Sequence, residues 1–266
     1  MLLVALSACA NFAATTADDP EGAARAGDPT AMYLWALRCE QGHDGAAPDP
    51  VAAARWYTAA AVAGHAAAQN NLGLLFHQGL GVAKSYDEAR FWFERAAAQG
   101  CAHGRTNLGV LLLYGQGTER DVPRGRELLT TAATAGNVRA MTLLGSLAYE
   151  GFGGAVDLPQ AVRWYEPAAE AGSLTAQHRL GLLLVRGEGV AADEVAGAAW
   201  LHTAAERGHA AAQHDYGLLC AQGRGVPHDL AAAERWFARA AAQGLPAAAS
   251  RLATIAAARP AAPGAD

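Results

Sequence analysis

Glycine returns in this chain at a fixed step, and a fixed step leaves few folds open. Gly64, Gly100, Gly136, Gly172, Gly208 and Gly244 stand 36 residues apart. A second series keeps the same step at Gly73, Gly109, Gly145, Gly181 and Gly217, each preceded by Leu except Gly217, which follows Tyr216. A third series is paired: Gly79/Gly81, Gly115/Gly117, Gly151/Gly153, Gly187/Gly189 and Gly223/Gly225. A period of about 20 to 50 residues marks stacked supersecondary units, none of which can bury its own apolar face alone. The 266 residues therefore read as one array rather than as ordinary globular domains.

One repeat, Ala66 to Gly100, shows how the array is built. Ala68, Leu72, Leu75, Phe76 and Gly79 follow the spacing of one apolar helix face. Gly73 lies inside that helix, where glycine costs about 1 kcal/mol relative to Ala. Its recurrence predicts another backbone packed too closely for a Cβ. The Gly79-Leu80-Gly81 element stops the helix, because glycine takes up the left-handed conformation of a C-terminal cap. Ser85, with Glu88 three residues on, reads as the capping box of a second helix. Asp49, Asp121, Asp157, Asp193 and Asp229 hold the equivalent position. Ala89, Trp92, Phe93, Ala96 and Ala97 then form the second apolar face.

This template gives six repeats between Gly27 and Gly244. The first has Trp35-Ala36 in place of Leu-Gly and one extra residue between His43 and Pro48. The stretch from Ala23 to Asp28 reads as the tail of a preceding second helix, and Ala247 to Ala258 as a first helix with no second helix after it. Both suit the exposed ends of a stack. The expected organisation is a leader over residues 1–19, a solenoid over 20–258 and a disordered tail over 259–266.

Hydrophobic residues make up 52% of the chain and aromatic residues only 7%, so the core is expected to consist of many small contacts between closely packed helices. The fold class is all-α. A net charge of −5 lacks the basic footprint of a nucleic-acid binder. Cys39 and Cys220 hold the same place in the first and last repeats, which sets them beyond the ~7 Å reach of a disulfide. No cysteine or histidine spacing fits a zinc site, and His209 and His214 do not form the zinc-protease helix pair. The paired glycines do not make a phosphate loop, and no serine-nucleophile motif occurs. No catalytic residue, metal or cofactor is expected. Trp56, Trp92, Trp164, Trp200 and Trp236 recur at one core-facing position and read as packing residues.

The apolar run from Met1 to Ala8 ends in Leu6-Ser7-Ala8-Cys9 and resembles a bacterial lipoprotein signal, with Cys9 as the residue to be lipidated. The expected location is then periplasmic and membrane-anchored. No Lys or Arg precedes the run, which leaves a cytoplasmic location as the alternative. No other segment has the ~20 apolar residues needed to span a bilayer.

The composite Ala-Gln-x-x-Leu-Gly-x-x-Tyr/Phe-x-x-Gly-x-Gly-Val, then Asp, Ala, Trp-Tyr/Phe and Ala-Ala at fixed offsets, resembles the Sel-one-like repeat, a relative of the tetratricopeptide repeat. Leu180-Gly181, Gly187-x-Gly189-Val190, Trp200 and Ala204-Ala205 carry it in one copy; Gly217, Gly223-x-Gly225-Val226, Trp236-Phe237 and Ala240-Ala241 carry it in the next. The repeat from Cys101 to Gly136 departs from it, with Leu128-Leu129 for Trp-Tyr and Gly125 for Ala, and Gly154 replaces the loop Val of the following repeat. Looser packing is expected at both. The resemblance implies a right-handed α-solenoid of six helix pairs acting as a non-enzymatic scaffold, with the first helices lining a concave groove for another protein or peptide. The face next to the buried stripe carries Asn70, Leu74 and Gln78; Thr106, Val110 and Tyr114; Thr142, Ser146, Tyr149 and Glu150; His178, Leu182 and Arg186; and His214, Leu218 and Gln222. Asn70, Thr106, Tyr114, Tyr149, Glu150, His178, Arg186 and His214 are the candidate partner-binding residues. The rival reading is an enzyme or a binder of cell-wall fragments, as suggested for cysteine-rich relatives. Those relatives join the two helices of a repeat through paired cysteines, and no repeat here has two.

Overall fold

The computed structural model describes residues 20–42 and 45–258. Among them the chain forms fourteen helices and no strand: α1 Pro20–Arg25, α2 Pro29–Gln41, α3 Pro50–Val62, α4 Ala66–Gln78, α5 Tyr86–Ala98, α6 Ala102–Tyr114, α7 Val122–Thr134, α8 Val138–Glu150, α9 Leu158–Glu170, α10 Leu174–Arg186, α11 Glu194–Glu206, α12 Ala210–Gln222, α13 Leu230–Ala242 and α14 Pro246–Ala258. This is an all-α architecture of the solenoid class, in which consecutive helices pack as pairs. The chain divides into two compact bodies, one ending at Ala140 and the other beginning at Met141. The leader, with Cys9, and the tail 259–266 lie outside the described residues.

The second helices begin where their caps predict. The Asp49 carboxylate accepts from the amides of Val51 and Ala52 at 3.0 and 2.9 Å, and the Ser85 hydroxyl accepts from Glu88 N at 3.2 Å. Asp121, Asp157, Asp193 and Asp229 cap α7, α9, α11 and α13 in the same way. Each such cap is worth about 1 kcal/mol. The first helices use a more varied set: Asp28, His65, Cys101, Asn137, Ser173 and His209. The C-termini of α4, α6, α10 and α12 close on a left-handed glycine, as at Gly79 with φ 76°, whose amide donates to Leu75 O. The second glycine of the pair has a different task. A Cβ on Gly81 would stand 2.0 Å from Pro50 O, so the loop of one repeat lies directly on the start of the preceding second helix.

Tyr57, Phe93, Leu129, Tyr165, Leu201 and Phe237 form the most enclosed column, none more than 1% exposed. The tryptophans expected at the core stand one residue earlier. Trp92 and Trp236 are buried, but Trp56, Trp164 and Trp200 are only half-buried. Trp92 and Trp236 also lie under guanidinium groups, Arg95 at 5.8 Å from the Trp92 ring and Arg239 at 4.7 Å from that of Trp236.

The recurring interior glycine is a crossing point. A Cβ on Gly73 would meet the Phe93 ring at 2.6 Å, one on Gly145 would meet Tyr165 at 2.6 Å, and one on Gly217 would meet Phe237 at 2.9 Å. In the other two repeats Leu129 or Leu201 stands in place of the aromatic, and the facing position is itself glycine. A Cβ on Gly125 would lie 2.8 Å from Gly109 O, and one on Gly197 would lie 2.7 Å from Gly181 O. The expectation of looser packing between Cys101 and Gly136 is thus overturned. With the smaller Leu129 in place of a ring, the two helices close until backbone meets backbone, which only a glycine on each side permits. Gly154, by contrast, faces open space.

Candidate functional site

In the N-terminal body, polar side chains along the first helices join in a one-way ladder. Arg139 Nη1 donates to Asn107 Oδ1 at 2.8 Å, Asn107 Nδ2 to Asn70 Oδ1 at 2.8 Å, and Asn70 Nδ2 to Asn71 Oδ1 at 3.1 Å. Asn71 Nδ2 then donates to the Tyr57 hydroxyl at 3.2 Å, which donates to Glu40 Oε2 at 2.6 Å. Donors and acceptors run in one direction from a guanidinium to a carboxylate, so each bond polarises the next. Burial, with the Glu40 charge and hydrogen bond, pushes the Tyr57 hydroxyl pKa up and keeps it protonated. Burial lowers the pKa of Arg139, and burial followed by the Arg139 charge lowers that of His103.

Two of the predicted binding residues are therefore internal. Asn70 belongs to the ladder and is 1% exposed; Thr106, equally buried, returns its hydroxyl to Ala102 O of its own helix. Neither presents itself to a partner: Asn70 is taken up by Asn107 of α6, and Thr106 is turned back onto its own helix. This face also holds a small pocket of about 70 Å³ lined by Leu74, His77, Gln78, Phe93, Asn107, Val110, Leu111 and Arg139. Leu74, Gln78 and Val110 were read from the sequence as face residues. Arg139 was not, since it stands at the start of α8, ahead of the positions counted from Asn70. Tyr114, at the end of α6, is exposed.

In the C-terminal body the candidates separate. Tyr149 is half-buried beneath the Arg179 guanidinium, 4.9 Å from its ring, while Glu150 and Arg186 are exposed. Arg186 lies 3.8 Å from Glu188. His178 is buried, with Nε2 2.7 Å from Asp215 Oδ2, and His214 Nδ1 is 2.8 Å from Asp215 Oδ1. One carboxylate thus bridges two imidazoles. Burial pushes the Asp215 pKa up, but the hydrogen bonds and charges of His178 and His214 outweigh it, and the net shift is downward. His178 and His214 are held inward by this bridge, so of the predicted residues here Glu150 and Arg186 are the ones turned to solvent.

The same offset underlies both clusters. Asn70 pairs with Asn107 and His178 with Asp215, each 37 residues apart. Asn107 and Asp215, at the position two before the interior glycine, supply the partner from the next first helix. A search for polar residues one repeat plus one residue apart would have found it. Among the described residues no group of three or more His, Cys, Asp or Glu is placed to hold a metal ion, and no helix is long and apolar enough to cross a membrane.

The Sel1 repeat family model matches residues 29–65, 66–101, 102–137, 138–173, 174–209 and 210–245. No curated protein matches the chain. Among solved structures, c5321, a protective antigen of uropathogenic Escherichia coli strains with an SLR fold, is 30% identical with a TM-score of 0.79 over 89% of this chain and 50% of its own. The chain thus spans half the length of that relative. A Sel1 repeat protein from Oxalobacter formigenes is 32% identical, with a TM-score of 0.76 over 82% of this chain and 89% of its own. An immunity protein from Pseudomonas aeruginosa, Pa5087, shares the fold at 18% identity and a TM-score of 0.53, over 80% of each chain.

Proposed function

Since the chain belongs to the Sel1 repeat family, whose members generally serve as protein-interaction scaffolds rather than enzymes, we propose that it holds a segment of another protein against the exposed parts of its first helices. The observation that carries this reading is the pocket of the N-terminal body. Apolar Leu74 and Val110 and polar Gln78 come from successive first helices and converge on one opening, with a charged side chain at its wall. Apolar contact flanked by polar groups is the usual composition of a recognition surface. In the C-terminal body Glu150 and Arg186 offer charged contacts of the same kind.

The test is capture of partners from the native host by the purified protein, followed by mass spectrometry. A Leu74→Ala, Val110→Ala variant should lose proteins that the parent and a Glu94→Ala variant on the second helix α5 both retain, with helicity preserved. Truncating a true anchor costs more than about 1 kcal/mol of binding. Equal capture by all three proteins would reject the first-helix face. Anchoring to an envelope membrane through Cys9 is the accompanying proposal. It predicts that labelled fatty acid enters the parent in its host and not a Cys9→Ser variant; label in both would reject it.

A further inference from the structure

A guanidinium carries five N–H donors and no acceptor. Arg139 spends Nη1 on Asn107, and among the described residues no carboxylate pairs with it. The only cause acting on its pKa is desolvation, where a neighbouring acid would have acted in the opposite sense. The other titratable group influenced by it is His103, itself a potential cation. The ladder does have a carboxylate, Glu40, but it stands at the far end, five hydrogen bonds away. Positive charge is therefore uncompensated where the pocket opens, although the chain as a whole is acidic at −5. Arg139 is only partly desolvated: the residue as a whole stays exposed, and it lines the pocket.

The pocket also limits what can enter. Its volume of about 70 Å³ is about half that of an apolar cavity that holds benzene, ~150 Å³. That accommodates a carboxylate and a methylene or two, not a ring. Leu74, Phe93, Val110 and Leu111 make an apolar wall suited to the methylenes, while Arg139, Gln78 and His77 supply the polar side. The guanidinium is held by an asparagine that is itself held, so little freedom is lost when a ligand arrives.

We propose that this pocket receives one aspartate or glutamate side chain from an apolar segment of the partner protein, gripped by the Arg139 guanidinium. This rests on the scaffold reading above and specifies what is recognised there. Asn107 acts as the positioning residue, and charge-assisted bonds from a planar guanidinium fit a carboxylate better than an ammonium would.

The experiment measures anisotropy of labelled, C-terminally amidated peptides whose centre is Leu-Glu-Leu or Leu-Gln-Leu. The amide removes the terminal carboxylate as a source. The parent should bind the Glu peptide at least about tenfold more tightly than the Gln peptide, the scale of a hydrogen bond to a charged group. Arg139→Gln should reduce that preference to within about twofold, Arg139→Lys should leave it intermediate, and Arg124→Gln, on exposed α7, should keep it whole. A preference that survives in Arg139→Gln, equal affinity of the parent for both peptides, or no binding of either at millimolar concentration would each overturn the assignment. None of these results touches the capture experiment with Leu74→Ala and Val110→Ala, which decides the scaffold reading separately.

Discussion

Replacing Gly181 tests whether backbone contact sets the distance between the two helices of a repeat. A Cβ there would lie 2.8 Å from Leu201 Cγ and 2.9 Å from Gly197 O. Leu201 is fully buried and the carbonyl belongs to a helix, so neither can swing aside. Alanine gains about 1 kcal/mol of helix propensity over glycine, against an overpacking cost of about 1 to 3 kcal/mol. The net expectation for Gly181→Ala is a loss of about 1 kcal/mol. Valine adds two methyl groups and gives back most of the propensity gain, so Gly181→Val should lose about 3 kcal/mol. Gly217→Ala is the internal comparison. Its nearest backbone atom, Ala233 O, is 3.3 Å away, and it should lose less than Gly181→Ala. Urea denaturation followed by circular dichroism gives the ranking, and calorimetry should show a shift of roughly 2–4 °C for each kcal/mol. A Gly181→Val protein that melts with the parent would refute the close-approach argument.

Three further outcomes are expected. Gln69 and Gln213 donate to Ala61 O and Ala205 O and accept from Gln99 and Gln243, but Gln177 Oε1 is buried without a partner because Arg207, in the place of those last two, turns to Gly172 O. Arg207→Gln should therefore stabilise the protein by about 1 kcal/mol, and a lower melting temperature would contradict it. His65 and His209 cap their helices through Nδ1, and burial holds both pKa values below 6.5. The folded state then binds fewer protons than the unfolded chain, so this stability is complete above the unfolded pKa of about 6.5 and is lost as pH falls through the lowered folded values. A His65→Asn, His209→Asn variant should flatten the stability profile just below neutrality, and an unchanged slope would disprove the linkage. Tyr57→Phe leaves Asn71 without its acceptor and Glu40 without its donor, and should cost about 1–3 kcal/mol in a urea titration; a neutral result would mean that the ladder contributes no stability.

The architecture was legible because its backbone demands fall on glycine and aspartate, whose conformational uses are narrow. Gly79, Gly73 and Asp49 each announce a cap or a crossing without reference to anything distant. The site was less legible, because which side of a first helix is open depends on the neighbour packed against it. Counting from Asn70 placed Leu74, Gln78, Val110 and Tyr114 usefully, yet put Asn70 and Thr106 on an open face although both are buried. Arg139 escaped notice because its role comes from Asn107, in the preceding repeat. The exchange of Phe for Leu at position 129 looked like a defect until Gly109 and Gly125 were seen to compensate for it together.

The glycine-to-glycine crossings are settled between residues of the same repeat, Gly109 with Gly125 or Gly181 with Gly197, whereas Asn70 and Asn107 belong to successive repeats. The two kinds of contact respond differently to recombination in the gene. Loss of a whole repeat keeps the glycine crossing inside every remaining repeat, so copy number can change without unmaking a helix pair. The same loss severs the polar links at its borders, which depend on the adjacency of particular repeats.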